Sequence, residues 1–114
     1  MDNRLKESRL FQRLNFSGPL RCQVRGSREI VNTIGEDLSL SGVKFINNKF
    51  IPPHTPVMLE INLRSQIVRP IAQIIWSSPF PRQDKFHLGA QFLEWNPKDK
   101  KNLSDFLNMQ LHQQ

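Results

Sequence analysis

Val57, Leu59, Ile61 and Leu63 alternate with Met58, Glu60, Asn62 and Arg64, the cleanest period of two in the chain, with Met58 the one apolar residue on the otherwise polar side. Successive side chains of a strand point to opposite faces, so this period of two predicts a strand with one buried face. Leu20, Cys22 and Val24 against Arg21, Gln23 and Arg25 repeat the pattern over Pro19 to Gly26. A second strand is expected through Ile30–Ile34, with Gly35 interrupting it, and a third, short one at Val43–Ile46. Beyond a Pro52-Pro53-His54-Thr55-Pro56 loop and the long strand at Val57, Arg64-Ser65-Gln66 reads as a hairpin turn. Ala72, Ile74 and Trp76 then share a face, with Pro70 marking a bulge or an edge. Ser77 to Asp84, holding Pro79 and Pro81, reads as a loop, and Phe86, Leu88, Ala90 and Phe92 alternate in the last strand. After Asn96 the period lengthens. Asn96 is placed as N-cap, Pro97 in the first turn and Asp99 at N3, and Leu103, Phe106, Leu107 and Leu111 fall on one helical face that Met109 leaves. The pattern predicts an all-β fold, six short antiparallel strands closing into a small barrel, with a C-terminal helix plugging one end.

Composition narrows this picture. The chain has 114 residues, 38% of them apolar and 23% charged, which suits one modest core. No apolar run is long enough to span a bilayer and no signal-peptide pattern is present, so membrane insertion is not expected. The single cysteine, Cys22, cannot form an internal disulfide, which fits a reducing cytoplasm. Its place in a strand makes it a small core residue. Net charge is +6. Arg4, Lys6, Arg9, Arg13, Arg21, Arg25 and Arg28 stand against only Asp2 and Glu7 before residue 29, so nearly all of the excess lies in the N-terminal quarter. Arginine dominates it, which points to an anionic partner that uses planar donors.

Two short motifs carry candidate chemistry. Arg9 and Arg13 stand four apart, with Leu10 and Phe11 between them able to pin the segment to a barrel. A guanidinium is permanently charged, and its fork of donors matches phosphate oxygens or the O6 and N7 edge of guanine. By itself the pair reads first as a solvated basic tail. The second motif is Asp37-Leu38-Ser39-Leu40-Ser41-Gly42. Asp37 and Ser39, two apart, point to the same side if the segment is extended. A carboxylate there can accept from the N1 and N2 donors of a guanine base, and a hydroxyl or its backbone N–H can serve phosphate or ribose. Gly42 permits an unusual backbone angle or a close approach. Taken alone this motif is as readily a turn, with Asp37 and Ser39 bonded to local backbone.

In order and spacing the two motifs together, the His87-Leu88-Gly89-Ala90-Gln91-Phe92 strand and the closing helix resemble the PilZ domain family from about residue 7 onward. The resemblance implies a six-stranded PilZ-like barrel over about 18–95, a helix over about 97–111, and a domain over 9–114 behind a flexible lead-in of residues 1–8. It implies binding of cyclic di-GMP, a bacterial second messenger. Arg9 and Arg13 would hold phosphates and guanine edges, Asp37 a guanine, Ser39 the phosphate–ribose side, and Gly42 would shape the turn. Trp76 resembles an aromatic that packs against the ligand in some members, although a tryptophan in the barrel core is the commoner case. Many members carry a further arginine directly before the first motif arginine. Here that residue is Ser8, which leaves open whether one ligand binds or a stacked pair.

The function expected is therefore a receptor without chemistry of its own. Its N-terminal segment would fold over the barrel with the ligand and change the surface offered to an effector protein, in motility, secretion or exopolysaccharide output. The alternative is a PilZ-fold interaction adaptor that does not bind the nucleotide. A general nucleic-acid-binding barrel is disfavoured, because the charge is local and no row of exposed aromatics is evident on a strand. A homodimer through the apolar helix face is open if that face does not cap the barrel. His54, His87 and His112 fall in no metal-ligand spacing, so no metal, cofactor or catalysis is expected.

Overall fold

The computed structural model describes residues 13–64 and 66–112. Eight strands run in chain order as β1 (Leu14–Asn15), β2 (Pro19–Val24), β3 (Ile30–Leu38), β4 (Gly42–Asn47), β5 (Pro56–Asn62), β6 (Ile67–Val68), β7 (Ile71–Pro79) and β8 (Phe86–Glu94), before helix α1 (Pro97–His112). Six of them close antiparallel in the cycle β3-β2-β5-β7-β8-β4, because β4 pairs with both β8 and β3. Closure removes the exposed edges that an open sheet of this size would carry. The two short strands are additions, β1 on β3 and β6 on β5. This is the expected six-stranded barrel with a C-terminal helix.

The period-two pattern set the inward face. Leu20 and Cys22 of β2, Val57, Leu59 and Ile61 of β5, Leu88 and Ala90 of β8, and Val43 and Phe45 of β4 are all buried. Leu103 and Leu107 of α1 join the same core with no exposed surface, while Met109 is 57% exposed. The helix spends its apolar face on the barrel, and burying each of those leucines contributes about 1.5–3 kcal/mol. The N-terminus of α1 obeys the capping logic: Asn96 Oδ1 accepts from the Lys98 N–H at 2.9 Å, and the Asn96 carbonyl accepts from the Lys100 N–H at 3.0 Å. Asp99 takes a second task, accepting from the Arg69 N–H at 2.9 Å. That bond ties the helix start to the Arg69-Pro70 break between β6 and β7. At the β5–β6 hairpin Arg64 adopts a φ of 78°, and the Leu63 N–H donates to the Gln66 carbonyl at 2.8 Å.

Three expectations need correction, and one strand was not expected. Gly35 does not interrupt β3, which continues to Leu38 through a bulge between Gly35 and Asp37. Residues just after Arg13 form a strand, Leu14 pairing with Leu38 and Asn15 with Asp37. β7 runs on to Pro79, so the expected loop from Ser77 starts only there. Finally, Trp76 does not share a face with Ala72 and Ile74. Ile74 pairs with Ala90, but Trp76 pairs with Gly89, so one extra residue, Ile75, is inserted on β7. A bulge of this kind reverses the inside–outside parity of everything beyond it. Ala72 and Ile74 are buried, Ile75 is exposed, and Trp76 is half-buried on the outer face.

Candidate ligand-binding face

Both bulges act on the same surface. On β3, Gly35 pairs with the fully buried Phe45, yet Asp37 pairs with Lys44, and Leu38 rather than Asp37 enters the core. Continued alternation from Thr33 and Gly35 would have turned the Asp37 carboxylate inward, where an unpaired charge is costly. The extra residue at Glu36 turns it outward instead. The bulge on β7 does the same for Trp76. Cross-strand partners share a face. The registers therefore lay one row across the outside of four strands: Asp37 on β3, Lys44 on β4, Gly89 on β8 and Trp76 on β7. At about 4.8 Å per strand the row spans roughly 14 Å along the sheet.

Gly89 is what lets the tryptophan lie in that row. A Cβ at this position would stand 2.2 Å from Trp76 Nε1 and 2.4 Å from Cε2. The indole therefore occupies the space a side chain would fill, with its ring against the strand and part of its surface open to solvent. Gly42 answers a different demand. Its φ is ordinary, and a Cβ there would lie 2.3 Å from the carbonyl oxygen of Ala90 on β8. The close approach is thus made by neighbouring backbone within the barrel.

The Ser39–Gly42 turn links β3 to β4. The Ser39 N–H donates to the Gly42 carbonyl at 2.9 Å, and the Ser41 N–H donates to Ser39 Oγ at 3.2 Å. Ser39 Oγ also lies 3.0 Å from Ser41 Oγ, and Ser39 is only 4% exposed. Its hydroxyl and N–H are both engaged within the turn, so Ser39 holds the turn that comes after Asp37.

Arg13 meets this surface directly. Its Nη1 donates to Asp37 Oδ1 at 2.7 Å, joining the last residue of the first motif to the first residue of the second. The next three residues hold Arg13 in place. Leu14 and Phe16 are buried, the Phe16 N–H donates to the Glu36 carbonyl at 3.0 Å, and the Phe16 ring meets Phe106 of α1 edge-on at 6.1 Å. Leu14 and Phe16 thus pin the stretch that follows Arg13 to the barrel. Arg9, Leu10, Phe11 and the lead-in 1–8 lie outside the described residues.

Beside Asp37 the bulged Glu36 carries two contacts. Its Oε1 is 2.6 Å from His87 Nδ1, and its Oε2 is 3.9 Å from Lys44 Nζ. The His87 ring stacks on Phe80 with centroids 3.9 Å apart and planes 18° from parallel. Neither partner of His87 is visible in the sequence, and neither motif contains Glu36, Lys44 or Gly89. A glycine within an alternating strand was the one available signal, since it marks a place of close approach. A groove of about 230 Å³ opens on the far side of the barrel between β2 and β5, lined in part by Arg21, Met58, Glu60, Arg69 and Ile71. Its two arginines are both committed to Glu60 at 3.3 Å, and it holds none of the motif residues. Among the described residues no helix is long and apolar enough to cross a membrane, and no cluster of His, Cys, Asp or Glu is suited to a metal ion. Burial pushes the Cys22 thiol up to about 12.

The structure is thus a closed antiparallel barrel whose outer face carries the Asp37–Lys44–Gly89–Trp76 row, with Arg13 reaching one end of it. The family model for the PilZ domain matches residues 7–109, and the chain belongs to that family. Among solved structures, it is similar to the PilZ domain of YcgR from Escherichia coli with c-di-GMP. Identity is 18% and the TM-score 0.64, over 90% of this chain and 90% of that one. It is similar also to the Bacillus subtilis inhibitor of motility MotI/DgrA, with 16% identity and a TM-score of 0.75, over 90% of this chain and 50% of that one. The PilZ domain of CeSA from a cellulose-synthesizing bacterium matches at 17% identity and a TM-score of 0.65, over 89% and 99% of the two chains. The chain thus spans half of the Bacillus protein and nearly all of the isolated PilZ domains. No curated protein sequence matches it.

Proposed function

We propose that this chain is a receptor for cyclic di-GMP and that the ligand binds over the outer row from Asp37 to Trp76. The observation that carries the proposal is the Arg13–Asp37 ion pair, which brings the two motifs together at one end of that row. Cyclic di-GMP presents two phosphate charges and two purines. Arg13, and Arg9 ahead of it, supply fixed cations whose planes also stack on bases. Asp37 gives one carboxylate oxygen to Arg13, and its other oxygen, which no described residue bonds, would accept from a guanine N1–H or N2–H. Trp76 offers a flat apolar face three strands away for a base to stack on. Ser39 and Gly42 contribute by shaping the turn and the β4–β8 contact that set Asp37 in place. The YcgR domain holds c-di-GMP, which makes this ligand the natural first probe.

Signalling arises from the same geometry. The ligand draws the residues ahead of Arg13 onto the barrel face, and the reorganised surface is offered to an effector protein. Calorimetric titration with cyclic di-GMP tests the reading. Saturable heat with a stoichiometry of one or two per chain is expected. Absence of saturable binding at high micromolar ligand overturns it and leaves the adaptor that does not bind the nucleotide.

A further inference from the structure

The centre of the row is occupied by a residue that neither motif contains. Lys44 pairs across one ladder with Asp37 and across the other with Gly89, beyond which lies the Trp76 ring. Its side chain is only 28% exposed. Among the described residues the sole carboxylate within 4 Å of its ammonium is Glu36, and that contact is 3.9 Å, beyond hydrogen-bond reach. Glu36 directs its short contact elsewhere, to His87 at 2.6 Å. Asp37 is likewise turned to Arg13. Lys44 is thus a half-buried cation, held loosely, midway between the carboxylate and the aromatic ring of the candidate site.

We propose that Lys44 is a third cation of this site and contacts a phosphate of the bound dinucleotide, with Glu36 holding it in place until the ligand arrives. This rests on the cyclic di-GMP reading above. An ammonium is a compact point charge without a planar fork, which suits a phosphodiester oxygen better than a base edge. Moving it costs little, because a long and partly solvated ion pair contributes little to stability. The carboxylate it leaves is not stranded, since Glu36 keeps His87. The arrangement also places positive charge on the barrel itself, at β4.

The test is calorimetry with cyclic di-GMP on the full chain for Lys44→Ala, Lys44→Arg, Glu36→Gln and the Lys44→Ala/Glu36→Gln double variant. Lys44→Ala should bind about tenfold more weakly, as for a lost charged contact, and Lys44→Arg within about threefold of the parent. Glu36→Gln should bind a few-fold more tightly, because it releases Lys44, and this gain should vanish when Lys44 is alanine. A role confined to folding gives no such gain. Two results overturn the proposal while the parent still binds: Lys44→Ala with parent affinity, or Glu36→Gln tightening binding equally in both backgrounds, which would be long-range repulsion alone. If the parent takes no cyclic di-GMP, the underlying reading and this proposal fall together.

Discussion

Replacing Arg13 by alanine should separate affinity from stability. Arg13 is 56% exposed at its side chain and Asp37 19%, so their 2.7 Å contact is screened by solvent on the arginine side. Such a pair contributes no more than about 1 kcal/mol to folding. The adjoining segment is anchored by Leu14 and Phe16, which the substitution leaves in place. Thermal unfolding should therefore shift by only a few degrees. Binding is a different matter, because the guanidinium is asked to satisfy a ligand charge while remaining hydrogen-bonded to Asp37. Losing charged hydrogen bonds of this kind costs about 2 kcal/mol or more, which is roughly a thirtyfold rise in Kd. Arg13→Lys should recover the charge but not the paired donors, and so fall between the two. The assay is titration calorimetry beside a thermal melt on each variant. Unchanged affinity in Arg13→Ala would refute the argument. So would a loss of affinity that merely tracks a collapse of the fold, since the contact would then be structural.

Other substitutions probe the two close approaches. Gly89→Ala should displace the Trp76 ring at a cost of about 1–3 kcal/mol, visible in a Trp95→Phe background as a shift in the emission of the remaining tryptophan and as weaker ligand binding. Gly42→Ala should cost stability even without ligand, because the clash is with the Ala90 backbone and no side chain can swing away; an unchanged melting temperature would contradict that reading. Cys22 should resist thiol reagents in the folded protein at pH 8 and react once the chain is unfolded in denaturant. The same burial makes a pH prediction. The folded thiol keeps its proton to about 12 while the unfolded one loses it near 9.0, so its contribution is present below pH 9 and declines as pH rises from there towards 12. Chemical denaturation of Cys22→Ala across that range should show a smaller decline than the parent.

The fold class was legible from local chemistry. β2, β5 and β8 each read as strands because one face is buried and the other is not, and a buried face writes a period of two into the residues themselves. Helix α1 read clearly for the same reason at a period of 3.6, with Asn96 and Pro97 marking its start. The candidate motif residues Arg9, Arg13, Asp37, Ser39 and Gly42 could be named from their order and spacing and the family resemblance these carry. Their setting could not. Asp37 and Trp76 both stand at positions where simple alternation points inward, and each reaches the outer face only because a strand carries one residue more than its partner, Glu36 on β3 and Ile75 on β7. A bulge is a relation between two strands, and neither strand contains it alone. The same holds for Lys44, which joins Asp37 to Gly89 only through two ladder registers, and for Leu14–Asn15, a strand too short to show any period. Alternation determined that there is a barrel with this core. Pairing between strands distant in sequence decided which side chains its outer wall presents.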